Sequence, residues 1–240
     1  GGKPVYGVYS TFVQRTYDQL QQDLCINNNP ITILTFAASV WGMNDVTHLG
    51  IYDIPMMSNI PNLVYLAPTT YEEYIAMLDW STEQREHPVA IRVPGAVIHG
   101  EKPTKDYGIL NKYETVQKGS GAAIIALGTF FGMGKQAAEL IEKKTGVKPT
   151  LINPVYITGI DEELLESLKK DHKAVVTLED GILDGGFGEK IARFYGDSDM
   201  RTVNFGLKKE FLDRYDANEV LRQNGITPEQ IADRAAELIK

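Results

Sequence analysis

His48 is the residue whose type and setting most directly offer chemistry. It stands in the run Ala38-Ser39-Val40-Trp41-Gly42-Met43-Asn44-Asp45-Val46-Thr47-His48-Leu49-Gly50-Ile51-Tyr52-Asp53, just past the apolar stretch Ile31–Phe36 that reads as a strand. An imidazole titrates near neutrality and can act as general acid, general base or orienting donor. Ligands of open α/β sheets bind where strands end and loops begin, and this is such a place. The plainer reading, a histidine that packs or caps locally, stands beside it at even weight. Metal ligation has less support, because none of His48, His87, His99 and His172 lies three or four residues from another.

A second cluster runs Tyr9-Ser10-Thr11-Phe12-Val13-Gln14-Arg15 and continues into Tyr17-Asp18-Gln19. It falls where a strand passes into a helix, and two aromatics with an arginine could grip a flat ring and an anion. On the residues alone the plainer reading is favoured, with Phe12 and Tyr17 in the core and Arg15 paired to Asp18 or Asp23. Two glycine-rich turns, Gly128-Thr129-Phe130-Phe131-Gly132-Met133-Gly134 and Gly181-Ile182-Leu183-Asp184-Gly185-Gly186-Phe187-Gly188, follow strands and open helices. Neither is a Walker motif or a clean dinucleotide fingerprint, so tight packing turns explain them better. No Gly-x-Ser-x-Gly elbow occurs, and Cys25 falls late in a helix without an evident base.

The elements that must position these residues alternate in type. Candidate strands are Val5–Tyr9, Ile31–Phe36, Leu63–Ala67, Val89–Val93, Ala122–Leu127, Thr150–Asn153, Ala174–Glu179 and Thr202–Phe205. Helical patterns fall at Phe12–Cys25, Tyr71–Gln84, Gly134–Lys144, Glu162–Lys169, Gly188–Phe194 and Pro228–Ile239, with starts signalled by Thr70, Asp161 and Thr227-Pro228. Strand and helix alternating at this spacing predict an α/β protein with mainly parallel sheets flanked by helices. A boundary between Pro94 and Gly119 divides the chain into two expected domains, residues 1–115 and 116–240.

Composition narrows the classes. The 240 residues are 43% hydrophobic and 23% charged, with net charge −8 and acids and bases interleaved. That excludes a nucleic-acid footprint and a polybasic membrane surface as expectations. One cysteine permits no intrachain disulfide, which fits a reducing, cytoplasmic setting, and no apolar stretch approaches the ~18 residues of a membrane helix. Gly1-Gly2-Lys3-Pro4 runs into the first strand without an initiator methionine, as in a processed or tagged chain or one cut from within a larger protein.

Several of these segments together resemble one family. Tyr9-Ser10-Thr11-Phe12-Val13-Gln14-Arg15-Thr16-Tyr17-Asp18-Gln19 is similar to the Tyr-Ser-Thr-Phe-x-Gln-Arg-x-Tyr-Asp-Gln signature of 1-deoxy-D-xylulose-5-phosphate synthases. Thr47-His48-Leu49-Gly50 and Ile60-Pro61-Asn62 resemble further segments of that family. Ala126-Leu127-Gly128-Thr129, Ile160-Asp161-Glu162-Glu163, Val176-Thr177-Leu178-Glu179 and Gly185-Gly186-Phe187-Gly188 resemble the transketolase-type C-terminal domain, more loosely but in the right order. The resemblance implies that the first domain is most of a pyrimidine-binding domain and the second a C-terminal domain without a cofactor site. It implies that Phe12 stacks on the aminopyrimidine of thiamine diphosphate, with Tyr9 and Arg15 lining the same pocket. His48 would face the substrates, with Asp45 beside it as the catalytic partner.

It also implies what this chain lacks. The acidic residue that protonates the pyrimidine, and the domain holding the diphosphate and its magnesium, fall outside it. The chain is therefore expected to bind no cofactor and to be inactive alone. It would work with a separate diphosphate-binding domain, as a homodimer, on keto-acid and sugar-phosphate substrates. Two family arginines that grip the acceptor phosphate have Ala37 and Gly95 in their places, and a family aspartate is Asn44. Losing two such clamps weakens phosphate recognition by several kcal/mol, at about 1.5–3 kcal/mol per charged hydrogen bond. A transketolase-like paralogue with another acceptor, or a catalytically silent scaffold, are the alternatives.

Overall fold

Residues 1–93, 95 and 97–239 are described by the computed structural model, so Pro94 in the expected boundary and in the Val93-Pro94-Gly95 run lies outside the described residues, as does Lys240 at the end of the expected second domain. The first four strands, β1 (Val5–Tyr9), β2 (Thr32–Phe36), β3 (Val64–Leu66) and β4 (Val89–Arg92), form a wholly parallel sheet in the order β1-β2-β4-β3. β3 and β4 are buried along their whole length and β2 at all but its last residue, as a sheet covered on both faces requires. β1 is an edge strand and is exposed at every residue but Val8, which is half-buried.

The helical pattern at Phe12–Cys25 is not one regular helix. It resolves into a 3-10 turn (Val13–Thr16), the short α1 (Tyr17–Gln19) and a π-helical stretch (Leu20–Cys25), with Val13, Leu20 and Cys25 buried. α2 (Asp53–Met57) was not visible as a periodic pattern, being five residues long with Pro55 in its first turn, where proline is tolerated. α3 (Tyr71–Glu83) begins where expected, because the Thr70 side chain accepts from the Glu73 backbone N–H.

A second sheet contains β5 (Glu114–Gln117), β6 (Gly121–Ala126), β7 (Thr150–Asn153), β8 (His172–Ile182) and β9 (Arg201–Leu207), in the order β5-β7-β6-β8-β9. It is parallel except for β5, an antiparallel edge that the sequence did not disclose. Around it lie α4 (Phe131–Thr145), α5 (Glu162–Leu168), α6 (Phe187–Phe194), α7 (Ala217–Gln223) and α8 (Pro228–Ile239). Both sheets are thus mainly parallel and flanked by helices. No helix among the described residues is long and apolar enough to cross a membrane.

The two sheets are joined by buried polar contacts. Arg92, at the end of β4, donates through Nε to Asp53 Oδ2 at 2.7 Å and through Nη2 to Asp53 Oδ1 at 3.1 Å. Its Nη1 meets Asp180 of β8, and Asp180 also accepts from Thr129 Oγ1 at 2.8 Å. The Tyr65 hydroxyl donates to Asp53. Arg92, Asp53 and Asp180 are 5%, 1% and 1% exposed. Burial alone disfavours the guanidinium charge, but Asp180 and Asp53 outweigh it and hold Arg92 well above the usual arginine range. A second seam forms where Asn153 of β7 donates to Glu73 of α3 at 3.1 Å. A third forms along β3, where Ala67 N–H donates to Val155 O at 2.8 Å and Ile157 N–H to Tyr65 O at 2.7 Å.

Replacing Arg92 by Ala strands two buried carboxylates, so urea unfolding should show a loss of about 3–5 kcal/mol, partly restored when Asp180→Ala is added. A loss below ~1 kcal/mol would contradict this account of the seam. Glu179 gives a second prediction. It accepts backbone N–H groups of Phe187 and Gly188, both at 2.8 Å, yet burial pushes its carboxyl up to about 7. The folded state therefore holds a proton that the unfolded chain releases near its ordinary glutamate value, and stability falls as pH rises from there through about 7. Denaturation of Glu179→Gln should lack this decline; an unchanged pH profile would rule it out.

Candidate functional site

Parallel pairing brings two strand ends side by side. Tyr9 is opposite Phe36 in the β1–β2 register, and Ser10 N–H donates to Phe36 O at 2.7 Å. The loops leaving these strands, Ser10–Phe12 and Ala37–Gly50, must therefore emerge together at the carboxyl edge of the sheet, where open α/β folds place ligands. After β1 the chain turns tightly, with Phe12 N–H donating to Tyr9 O at 2.8 Å. After β2 it turns through left-handed backbone at Ala37 (φ 53) and Ser39 (φ 80). Ser39 N–H then donates to Gly50 O at 2.7 Å and closes the longer loop at its base. Ala37 O sits so close to Gly42 and Gly50 that a Cβ on either would collide with it, which accounts for both glycines.

The two loops meet in an aromatic cluster. The ring centroids of Phe12 and His48 are 5.0 Å apart at 70°, and those of Tyr9 and His48 are 6.1 Å apart at 69°. Tyr9 and Phe12 lie 6.1 Å from one another and remain 44% and 38% exposed, while Val13 beside them is fully buried. The expected core position of Phe12 is therefore corrected, because the inward-facing residue of that turn is Val13. Met43 and Val46 extend the exposed apolar surface. Ser10 and Ser39 are buried at the same strand ends with no hydrogen-bond partner for either hydroxyl among the described residues.

His48 is oriented by its neighbours. Its Nδ1 lies 2.9 Å from Asp45 Oδ1 and 2.8 Å from Thr47 Oγ1, and the Thr47 hydroxyl donates to Asp45. An ionised carboxylate only accepts, so in the neutral ring Nδ1 carries the proton and Nε2 is left as the acceptor. Nε2 makes no hydrogen bond among the described residues. This base-and-orienter pairing leaves one nitrogen available to take a proton from a bound molecule. The Thr47 hydroxyl and then the His48 ring hold the Asp45 carboxyl below its usual range.

Arg15 stands exposed one turn beyond Phe12. Among the described residues it forms no ion pair, so the expected pairing with Asp18 or Asp23 is not made. Trp41 is half-buried with its ring edge-on to Phe130 at 5.4 Å. The structure thus brings Tyr9, Phe12, Asp45 and His48 together, while Arg15 is linked to Phe12 through its backbone N–H, which donates to Phe12 O at 3.1 Å. Sequence reasoning missed Thr47 as the hydroxyl joining Asp45 to His48, although its place next to the histidine was a usable signal. The glycine turns serve packing, as expected: Gly188 lies against Thr177 and Asn204, and Gly134 against Ala126. His172 is buried between Thr150 Oγ1 and Leu168 O, and His99 pairs with Glu72.

Among the described residues no group of three or more His, Cys, Asp or Glu side chains is placed to hold a metal ion. A cleft of about 640 Å³ lined by Lys169, Lys173 and Arg201 lies at the amino ends of β8 and β9, at the opposite strand ends from those that carry the aromatic cluster. Replacing Thr47 by Val should raise the Asp45 titration midpoint toward that of an ordinary aspartate, read from its carboxyl carbon by NMR; an unmoved midpoint would contradict the hydroxyl's role.

Comparison with known proteins places this geometry. The family description "Transketolase, pyrimidine binding domain" matches residues 1–97, and "Transketolase, C-terminal domain" matches residues 111–231. The chain is 36% identical over 245 residues to 1-deoxy-D-xylulose-5-phosphate synthase of Clostridium perfringens (strain SM101 / Type A), an alignment covering 100% of this chain and 39% of the relative. To the synthase of the same name from Clostridium tetani (strain Massachusetts / E88) it is 34% identical over 242 residues, again covering 100% and 39%. The chain therefore spans about two-fifths of the length of these curated relatives. Among solved structures, a split gene transketolase in an inactive beta4 tetramer superposes with TM-score 0.85 at 21% identity, covering 100% of this chain and 78% of that one. A transketolase of Pichia stipitis in complex with sedoheptulose 7-phosphate gives TM-score 0.78 at 19% identity, covering 99% and 34%. Likeness at such identities speaks to fold alone, and the sequence matches across both halves supply the rest: the chain belongs to the transketolase family, with a pyrimidine-binding domain followed by a transketolase C-terminal domain.

Proposed function

We propose that this chain is the C-terminal portion of a thiamine-diphosphate-dependent transferase of the 1-deoxy-D-xylulose-5-phosphate synthase type, condensing pyruvate with glyceraldehyde 3-phosphate. The observation that carries the reading is the exposed Tyr9–Phe12–His48 cluster, with its imidazole locked at Nδ1 by Asp45. The residues present fit the ring side of the cofactor. Phe12 offers an uncharged aromatic face suited to a neutral heterocycle, and Tyr9 widens that face. Thiamine diphosphate, when bound, supplies the stabilised carbanion chemistry needed to break and form bonds next to a carbonyl. In this reading Phe12 and Tyr9 seat the ring and exclude water from its face. Arg15 lines the same pocket. His48 takes or gives a proton at Nε2 on the substrate side, while Asp45 fixes the tautomer and stabilises the protonated ring.

The diphosphate and its magnesium fall to a domain outside these 240 residues. Pairing with that domain, and assembly as a dimer in the cytoplasm, follow from the same reading. The chain alone would bind no cofactor and turn over no substrate. The proposed division into residues 1–115 and 116–240 is supported by β5, which pairs with β7 in the second sheet from Glu114.

One observation favours a second reading of the acceptor. Ala37 is pinned in left-handed backbone with its carbonyl against Gly42 and Gly50, and Gly95 packs near Trp41 O. Neither offers the guanidinium that the resemblance calls for, while Met43 and Val46 are apolar and exposed. An acceptor without a phosphate suits this surface.

The test is activity of the chain assembled with its diphosphate-binding half, thiamine diphosphate and magnesium. Pyruvate should be consumed, Phe12→Ala should weaken cofactor binding by about 1–2 kcal/mol, and His48→Ala should lower kcat by about 10²–10⁴. No turnover with any keto-acid or ketose donor would instead support a silent scaffold. A glyceraldehyde KM no higher than that of its 3-phosphate would favour the second acceptor reading.

A further inference from the structure

The loop that carries Asp45 and His48 is gripped from outside its own half of the molecule. Within that half its backbone bonds are local: Ser39 to Gly50, Gly42 to Ser39 and His48 to Asp45. The segment between β9 and α7 adds bonds from the other half. Arg214 N–H donates to Asn44 O at 2.6 Å, and Val46 N–H donates to Asp213 Oδ1 at 3.1 Å. Asn44 Nδ2 donates to Tyr215 O at 3.4 Å. The Tyr215 hydroxyl points its single proton between Val40 O at 3.0 Å and Met43 O at 3.2 Å. Arg214 is in left-handed backbone (φ 49), and that turn lets three consecutive residues address one loop.

These bonds bracket Asp45, the partner of the candidate base, and lead up to His48. They fasten Val40, Met43, Asn44 and Val46, which precede His48 in the loop, and Val46 follows directly on Asp45. Such fastening matters because a displacement of ~1 Å in a catalytic group can cost ~10²-fold in rate. We propose that Tyr215 and Asp213 are positioning residues for His48, so that the C-terminal half takes part in setting the catalytic geometry. This rests on the reading of His48 as the catalytic base given above. Burial, together with the Asp45 charge, raises the Tyr215 hydroxyl above the ordinary tyrosine range, so it remains a donor through neutral pH.

The experiment has two arms. In the chain as it exists, NMR follows amide exchange at Val46 and His48 and the ring nitrogens of His48 in Tyr215→Phe and Asp213→Ala. Exchange should quicken by about tenfold, and the ring signals should shift or broaden, since lost hydrogen bonds release the loop. Tyr52→Phe serves as a control, because its hydroxyl holds Glu210 O at 2.6 Å in the same segment and makes no hydrogen bond with the His48 loop among the described residues, and it should leave the ring signals in place. In the assembled enzyme, Tyr215→Phe should lower kcat by about tenfold or more with cofactor affinity and KM within about twofold. Exchange and ring signals unchanged in both variants would overturn the proposal, as would loosened exchange with unchanged kcat where His48→Ala abolishes turnover. If His48→Ala leaves turnover intact, the catalytic reading of His48 fails, and the exchange and ring signals still decide whether Tyr215 and Asp213 hold it.

Discussion

The structure depends on one buried cation. Arg92 ends the central strand β4 and reaches both Asp53, which opens α2 in the first half, and Asp180, which lies on β8 in the second. Three charges almost without solvent exposure persist only because each is paired and further hydrogen-bonded, Asp53 by Tyr65 and Asp180 by Thr129. The pairing sets where the two sheets meet. It places the carboxyl ends of the first sheet's strands against the β8 side of the second, where Ile182 N–H donates to Ile51 O at 3.0 Å. The segment after β9 can then reach the loop after β2. A buried ion network thus underlies a surface on which Phe12 and His48 lie 5.0 Å apart.

That surface divides its labour among different physical constraints. Parallel register fixes the two strand ends, left-handed backbone at Ala37 and Ser39 turns the second loop, and side-chain bonds from Asp45 and Thr47 fix the imidazole. The aromatic faces stay bare. Tyr9 and Phe12 hold their positions through backbone bonds in the turn, which leaves their rings free for something flat. Leaving two large rings about 40% exposed costs burial, at ~25 cal/mol per Å² of apolar surface, and is reasonable where a partner surface or ligand covers them. On the reading proposed above, this surface is the ring side of a site whose anion side lies elsewhere.

How much of this was legible depended on whether the signal was local. Val5–Tyr9, Thr150–Asn153 and Pro228–Ile239 could be read to the residue, since period and flanking caps agree there. β5 could not, because Glu114-Thr115-Val116-Gln117 is a short, half-exposed edge with little apolar content. α7 is seven residues long and rests on its Asp216 cap rather than on an apolar stripe. The Arg92 network was invisible because its partners stand 39 and 88 residues away, and Val-Ala-Ile-Arg reads as an ordinary strand end. Tyr215 was missed for the same reason, its acceptors being more than 170 residues distant. Phe12 is the instructive case. Its type suggested core, the family resemblance suggested a ring-stacking face, and Val13, by taking the inward position, overturns the core reading and leaves the Phe12 ring exposed.

The measurement that bears most directly on the central claim is a crystal structure of this chain assembled with its diphosphate-binding half, thiamine diphosphate and magnesium. The account predicts the aminopyrimidine in van der Waals contact with the Phe12 ring, at about 3.5–4 Å, with His48 Nε2 open toward the substrate channel. A cofactor seated elsewhere, with Phe12 and Tyr9 covered by protein alone, would contradict it.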